Sequence, residues 1–366
     1  MRAARRSLRS FAVQLAAVAV GLVLSALVLA TIGISPVKAL EALLRGAFGS
    51  EFALTQSLLK AVPLALTGLA VAIPLRMRLW NIGAEGQFHA GAIGASWAAL
   101  TFSTWSAPAL LPMMVAAAMV AGGVWALVAA IPRALWGVNE IITTLLLNYV
   151  AILAVAYLVT GPWRSTSAFN FPVTDLFGAG AALPKLASGS LIHAGVFFPL
   201  VAAAVLLILL HRSRWGFEVR MIGASPDAAR LAGMSTAKNI VVIMLVGGAL
   251  AGVAGMVEVS TSFGRLRQGI SPGYGYMAIV IAALAGANLI GTLTVAFLFG
   301  GFVVGGFALQ ALGIPQAFVL LVQGIILFCA LAGSRLAGAH LTPWSPTRSR
   351  DRRRLEPVHK EEPSIP

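Results

Sequence analysis

Two groups of polar residues interrupt otherwise apolar runs of this chain. Asn81, Glu85 and Gln87 stand beside Gly83 and Gly86 in LWNIGAEGQFHAGAIGA, residues 79–95. Asn139 and Glu140 open GVNEIITTLLLNYVA, residues 137–151, and Asn148 lies two to three turns further along. Amides and carboxylates away from water must find hydrogen-bond partners or line a wet path. Two readings are open for the first group. Asn81 can cap the following helix while Glu85, one turn in, favours the positive end of its dipole. Alternatively, the group meets a passing polar solute, because an ionisable residue within a membrane helix marks function by default. The glycines permit close backbone approach. Asn139 is read as a helix cap, with Glu140 in the first turn. Asn148, deeper, is either interhelical glue or part of a pathway.

A third group sits in GFEVRMIGASPDAARLAGMSTAKN, residues 216–239. Ser225 is placed as an N-cap and Pro226 at the first helical position. Asp227 falls where the helix dipole favours an acid, ahead of Ala228, Ala229 and Arg230. Gly233 supplies the stop, and Ser235 can cap the next helix. The pattern predicts a short helix spanning 226–233, tied at both ends to apolar segments. A connector needs only a few residues. A rigid knob of this kind suits docking to a soluble partner.

Groups for covalent or metal chemistry are missing from the sequence pattern. There is no Gly-x-x-x-x-Gly-Lys-Ser/Thr phosphate loop. His89, His193, His211, His340 and His359 are scattered singly, and no His/Glu pair has zinc spacing. Cys329 is the single cysteine, which excludes an intrachain disulfide. A membrane-embedded enzyme therefore lacks a catalytic constellation.

The elements that must position these residues follow from composition. Of the 366 residues, 59% are hydrophobic and 10% charged. A soluble domain carries about 25% charged residues, so this chain predicts an all-α polytopic membrane protein. Its net charge of +14 does not point to nucleic acid. The basic residues fall at chain ends and between apolar runs, where bilayer orientation accounts for them. Phe11 to about Ile34 is too long for a signal-peptide core and reads as the first span.

Charge-free windows long enough to span predict ten transmembrane helices. Arg9–Lys38 and Lys60–Arg76 hold one each, with Lys60 snorkelling to an interface. Glu85–Arg133 holds two; Glu140–Arg164, Lys185–Arg212 and Lys238–Glu258 hold one each; Arg267–Arg335 holds three. With both termini cytoplasmic, 19 Lys and Arg lie inside and 7 outside, as the positive-inside rule requires. The expected division is a basic cytoplasmic N-terminus at 1–10 and a membrane domain at 11–335. Its cytoplasmic loop covers 212–239, between spans six and seven, and a disordered cytoplasmic tail covers 336–366. The stretch 36–60 is expected along the outer interface, and 258–276 as an outer loop; each is read either as solvated chain or as a docking face for an extracytoplasmic protein.

The motifs carry a resemblance. DAARLAG, residues 227–233, resembles the Glu-Ala-Ala-x-x-x-Gly loop of ATP-binding-cassette (ABC) importer permeases, with Asp for Glu and without the Ile-x-Leu-Pro continuation. NIGAEGQ is similar to a segment of the branched-chain amino acid, ribose and nucleoside permease superfamily. GVNEIITTLLLNYVA and AIVIAALAGANLIGTLTVAFLFGGFVVGG resemble its nucleoside and simple-sugar branch.

That resemblance implies a permease subunit of an ABC importer in a bacterial plasma membrane, carrying a nucleoside or simple sugar. It implies that 225–233 is a coupling helix for a cytoplasmic ABC ATPase, which binds the ATP and Mg; this chain carries no cofactor. It further implies a second, paralogous permease subunit and an extracytoplasmic solute-binding protein. The rival reading is an ion-coupled secondary transporter complete in one chain. Such proteins place ionisable groups near the midplane, whereas here the charges are expected at span ends.

Overall fold

The computed structural model describes residues 2–31, 33–169, 171–187 and 189–339. Among them are thirteen α-helices and no strand. These are α1 (Arg2–Thr31), α2 (Pro36–Phe48), α3 (Glu51–Leu75), α4 (Ala84–Thr101), α5 (Ala107–Trp136), α6 (Glu140–Thr160) and α7 (Phe197–Arg212). The rest are α8 (Arg214–Ala224), α9 (Pro226–Leu231), α10 (Thr236–Glu258), α11 (Tyr274–Leu284), α12 (Leu289–Ala311) and α13 (Gln316–Ala339). The expected tail falls outside the described residues from 340 onward.

Capping residues place the boundaries. The Ser50 hydroxyl accepts from the Ala53 N–H and starts α3. Gly137, with φ +69, ends α5 in the left-handed region that glycine adopts freely. Asn288 accepts from the Ile290 and Gly291 N–H groups at the head of α12. In an apolar medium these orphan donors have no water to turn to, so each cap fixes where a helix begins.

The interior is assembled around α3 and α10. Helix α10 packs against α5, α4 and α3, while α3 also carries α12 and α11. Small residues let the backbones meet. A Cβ built on Gly91 would lie 2.1 Å from Gly252 Cα, and one on Gly252 would lie 2.1 Å from the Ala118 carbonyl oxygen. Glycine enrichment in the spans is therefore used as a packing device.

Among the described residues, seven helices are long and apolar enough to cross a membrane: Glu51–Leu75, Ala107–Trp136, Glu140–Thr160, Ala194–Arg212, Thr236–Phe263, Leu289–Ala311 and Gln316–Gly333. An eighth is added if the pair 19–31 and 36–48, bent by 118°, counts as one span. The sequence windows predict ten, and the differences are local. Helix α4 holds Glu85, Gln87 and His89 and is diluted by polar groups. Helix α11, at 11 residues, rises only about 16 Å.

Three other expectations are corrected. Because Ser50 caps α3, the helix begins at Glu51, and Lys60 lies well inside it rather than at an edge. The stretch 36–60 is not one continuous segment but is divided between α2 and the first turns of α3. Helix α2 packs on α12, where a Cβ on Gly305 would approach the Leu43 carbonyl oxygen to 2.5 Å. The segment after α10 is folded, not merely solvated. Val259–Phe263 forms a π turn, and Leu266 and Ile270 are buried.

Candidate functional site

The short helix predicted from the caps is present. The Ser225 hydroxyl accepts from the Ala228 N–H at 3.4 Å, Pro226 occupies the first turn, and Asp227 pairs with Arg230 at 2.6 Å. Gly233 has φ +77, and Ser235 caps α10 through the Lys238 N–H. Ala229 is fully buried, Asp227 and Arg230 are exposed, and Leu231 is 92% exposed. The sequence pattern did not single out Leu231. It adds a large apolar side chain to the outer face of a charged turn.

The loop around this helix is more rigid than one short helix implies. Helix α8 fills its first half and was not anticipated. A Cβ on Gly223 would lie 2.0 Å from the Arg76 carbonyl oxygen, so α8 rests directly on the end of α3. Asn239, at the start of α10, donates to Glu218 of α8 at 2.7 Å. The Arg76 guanidinium donates to the Ala287 carbonyl at 3.0 Å, reaching the turn between α11 and α12. Burial and the neighbouring Arg220 lower the Arg76 pKa. Helices α8 and α10, which flank α9 in the chain, are thus bonded to one another, and α8 is seated on the end of α3.

The polar residues of residues 79–95 and 137–151 come together in the bundle. Asn81 and Gln87 form a reciprocal amide pair, each bond 2.9 Å, and Asn81 also reaches the Ala70 carbonyl at 3.3 Å. Asn81 therefore does not cap α4, whose N-cap is Gly83. Its amide is fully used in tying α3 to α4. Asn148 accepts from the Gly86 N–H at 2.8 Å and donates to the Ile82 carbonyl at 2.9 Å. A Cβ on Gly83 would lie 2.9 Å from Thr144 Cβ, so glycine is needed for α6 to approach.

Glu85 accepts from the Gly275 N–H of α11 at 2.7 Å and is buried. His89 bonds the Glu85 carbonyl at 2.8 Å. Asn139 caps α6 as predicted, accepting from the Ile141 N–H. Glu140 bridges the Trp80 N–H and the Arg133 guanidinium, at 3.3 and 3.2 Å. These groups lock the connector 76–83 between α3, α4, α6 and α11.

Asn148→Leu removes both partners of that lock. It strands the Gly86 N–H and the Ile82 carbonyl, each worth about 1–3 kcal/mol when buried and unpaired. The expected result is a clear fall in the melting temperature of the detergent-extracted protein. An unchanged melting temperature would mean that the two backbone groups are satisfied without Asn148.

Sequence reasoning missed one constellation. Lys60 of α3 pairs with Glu258, the last residue of α10, at 3.0 Å. It also donates to the Tyr274 hydroxyl of α11 at 3.1 Å, and that hydroxyl reaches Glu258 at 3.4 Å. Glu258 ends α10 and Glu85 stands in the first turn of α4, so of these charges only Lys60, well inside α3, departs from the expectation that charges gather at span ends. The signal was present as two lone, opposite charges each bordering an apolar run. Nothing in one sequence joins positions 198 residues apart.

Comparison with known proteins identifies the scaffold. Residues 53–331 match the family described as branched-chain amino acid transport system / permease component. The chain is 40% identical to the glucose ABC transporter permease protein TsgB13 of Haloferax volcanii, over 86% of this chain and 84% of that one. It is 32% identical to the guanosine ABC transporter permease protein NupP of Bacillus subtilis, covering 87% and 92%. It is 30% identical to the nucleoside ABC transporter permease protein NupB of Lactococcus lactis, covering 87% and 90%. No solved structure is significantly similar. The chain belongs to the branched-chain amino acid transport system / permease component family, and it is a permease subunit of an ABC transporter, a transport component rather than the ATPase.

Proposed function

We propose that this permease imports a nucleoside or a simple sugar across a bacterial plasma membrane, driven by a separate cytoplasmic ABC ATPase. The observation that carries the coupling part is the capped helix α9, with Leu231 exposed at its surface and its ends tied to α8 and α10. In this reading Ser225–Arg230 and Gly233 form the coupling element, and the ATPase receives Leu231 beside the Asp227–Arg230 pair. ATP and Mg belong to that partner. The relatives named for glucose, guanosine and nucleosides support the substrate class.

The finer topology is part of the same proposal. It has ten crossings, with α4 and α11 completing the count, and both termini cytoplasmic beside α9. Helices α6 and α13 bury little of their apolar surface within this chain. Lipid and a second, paralogous permease subunit would cover them. An extracytoplasmic solute-binding protein would deliver solute to the opposite end. Closure of the ATPase pair would push α9 and tilt α10 as a rigid body. The buried amide lock of Asn81, Gln87 and Asn148 would keep α3, α4 and α6 from yielding to that push.

Gly233→Pro and Asp227→Lys test the coupling. Proline cannot adopt φ +77, and lysine removes the pair with Arg230 while opposing the helix dipole. Both variants are expected to insert and assemble normally in the reconstituted complex. Both are expected to lose solute-stimulated ATP hydrolysis and uptake, by at least about ten-fold for Gly233→Pro. Coupled hydrolysis at the parental rate in both variants would exclude α9 as the lever. Uptake driven by an ion gradient without any ATPase subunit would instead establish the single-chain secondary transporter.

A further inference from the structure

A cavity of about 520 Å³ opens beside the Lys60–Glu258 pair, at the end of the bundle remote from α9. From Thr236 to Glu258, α10 rises about 33 Å, roughly the thickness of a bilayer core. The volume lies in the range of small-molecule sites, roughly 300–1,000 Å³. Its walls include Gln56, Lys60, His193, Glu258, Ser260 and Phe263.

The chemistry of these walls selects a type of ligand. Lys60 and Glu258 neutralise one another, yet between them they offer both donors and acceptors. Lys185 stands exposed at the rim. The His193 Nδ1 accepts from the Gly195 N–H, leaving the other ring nitrogen as donor. Burial lowers its pKa and favours the uncharged ring. Gln56 adds an amide with both functions. Ser260 is buried, and its hydroxyl has no partner among the described residues. An unpaired buried hydroxyl is costly; Ser260 belongs to the cavity wall, and a small shift of that wall would bring its hydroxyl within reach of a ligand. Ser260 and Phe263 belong to the π turn 259–263, a form that recurs at functional sites. A wall with balanced donors and acceptors and no net charge at its centre suits a neutral ring bearing adjacent hydroxyls, each of which also donates and accepts.

We infer that this cavity holds the transported solute on the outer half of the pathway and recognises it through a vicinal diol. That diol is common to a free sugar and to the ribose of a nucleoside. The inference rests on the permease reading above and adds the site and its selectivity to it. Position explains how transport would act on it. Glu258 ends α10 and the π turn continues it, while the opposite end of α10, Thr236, follows α9 after a link of residues 232–235. A rigid tilt of α10 would shift the carboxylate, Ser260 and Phe263 against Gln56 and Lys60 of α3. The diol would then lose its matched partners and leave.

The test uses the complete permease complex in right-side-out vesicles. Cys329, the native cysteine, is first replaced by Ser, and Ser260→Cys is introduced. A charged methanethiosulfonate that cannot cross the membrane is applied outside. Labelling is expected, and adenosine or glucose is expected to slow it. Half-protection by 2′,3′-dideoxyadenosine is expected to need at least about ten-fold more compound than adenosine, since one charge-assisted hydrogen bond is worth about 1.5–3 kcal/mol.

Gln56→Cys, on the facing helix, serves as a second reporter should Ser260→Cys fail to assemble. Protection by adenosine alone assigns the diol to a nucleoside, and protection by glucose alone assigns it to a free sugar. Absence of labelling at both positions would overturn the inference. Labelling that neither solute slows, or equal protection by the dideoxy analogue, would do the same. A complex with unaltered Ser260 and Gln56 that imports neither solute would instead remove the substrate reading, whatever happens at Ser260.

Discussion

Gly252→Leu is expected to prevent the bundle from assembling. Gly252 lies where α4, α5 and α10 meet. A Cβ there would come within 2.1 Å of the Ala118 carbonyl oxygen and 3.3 Å of Gly122 Cα. The reciprocal contacts are equally tight. A Cβ on Gly122 would lie 2.4 Å from the Gly248 carbonyl oxygen, and one on Gly248 would lie 2.4 Å from that of Gly122. Overpacking a core costs typically about 1–3 kcal/mol when side chains can rearrange. These obstacles are backbone, so relief requires α10 to move away from both α4 and α5. That would open the interior contacts of Phe88, Met114 and Met256 with their neighbours.

The cost then exceeds the usual range, and little monodisperse protein should be recoverable from membranes. Gly324→Ala is the control, because a Cβ there meets nothing within 4 Å. It is expected to extract and elute like the parent. Normal recovery and an unchanged melting temperature for Gly252→Leu would show that α10 is not seated as described.

The second large effect is at Lys60. Lys60→Met leaves Glu258 buried without its cation, and Glu258→Gln leaves Lys60 without its anion. Breaking one side of a buried pair costs about 3–5 kcal/mol. Here Glu258 has 4% of its side chain exposed and Lys60 has 23%. Loss of the anion should therefore be milder, because water in the cavity can solvate the ammonium. The double variant Lys60→Met with Glu258→Gln removes both charges and is expected to recover most of the lost stability. Melting temperatures of the parent, the two singles and the double complete a cycle that isolates the coupling between them. Strictly additive losses would mean that the pair adds nothing beyond two independent side chains. This readout involves no solute, so it stands apart from the inference about the cavity.

Much of the fold was legible because each signal is local. A bilayer core tolerates few charges, so apolar runs and the charges between them announce a polytopic helical protein. Caps are equally local. Ser225, Pro226 and Gly233 specify α9 through backbone donors within a turn of themselves, and Asn139 does the same for α6. The motif residues 79–95 and 137–151 were also visible as a polar cluster in apolar surroundings, and they carried the family resemblance.

Other features depended on what lies across the bundle. Asn81 was open to a capping role by position, yet a buried amide at 2.9 Å, Gln87, takes it instead. Lys60 looked like an interfacial lysine because its window was short. Ser50 extends α3 past it, and the register then delivers it to Glu258. Whether Asn148 glues helices or lines a path was undecidable from type and depth, since both roles use the same hydrogen bonds. Sequence alone determined an all-helical membrane protein with a short capped helix in its 212–239 loop, because hydropathy and capping act over a few residues. Only the tertiary structure decided where its interior charges meet and that, among the described residues, the hydroxyls of Thr236 and Ser260 are left buried without a partner. Those outcomes depend on pairs brought together from distant parts of the chain.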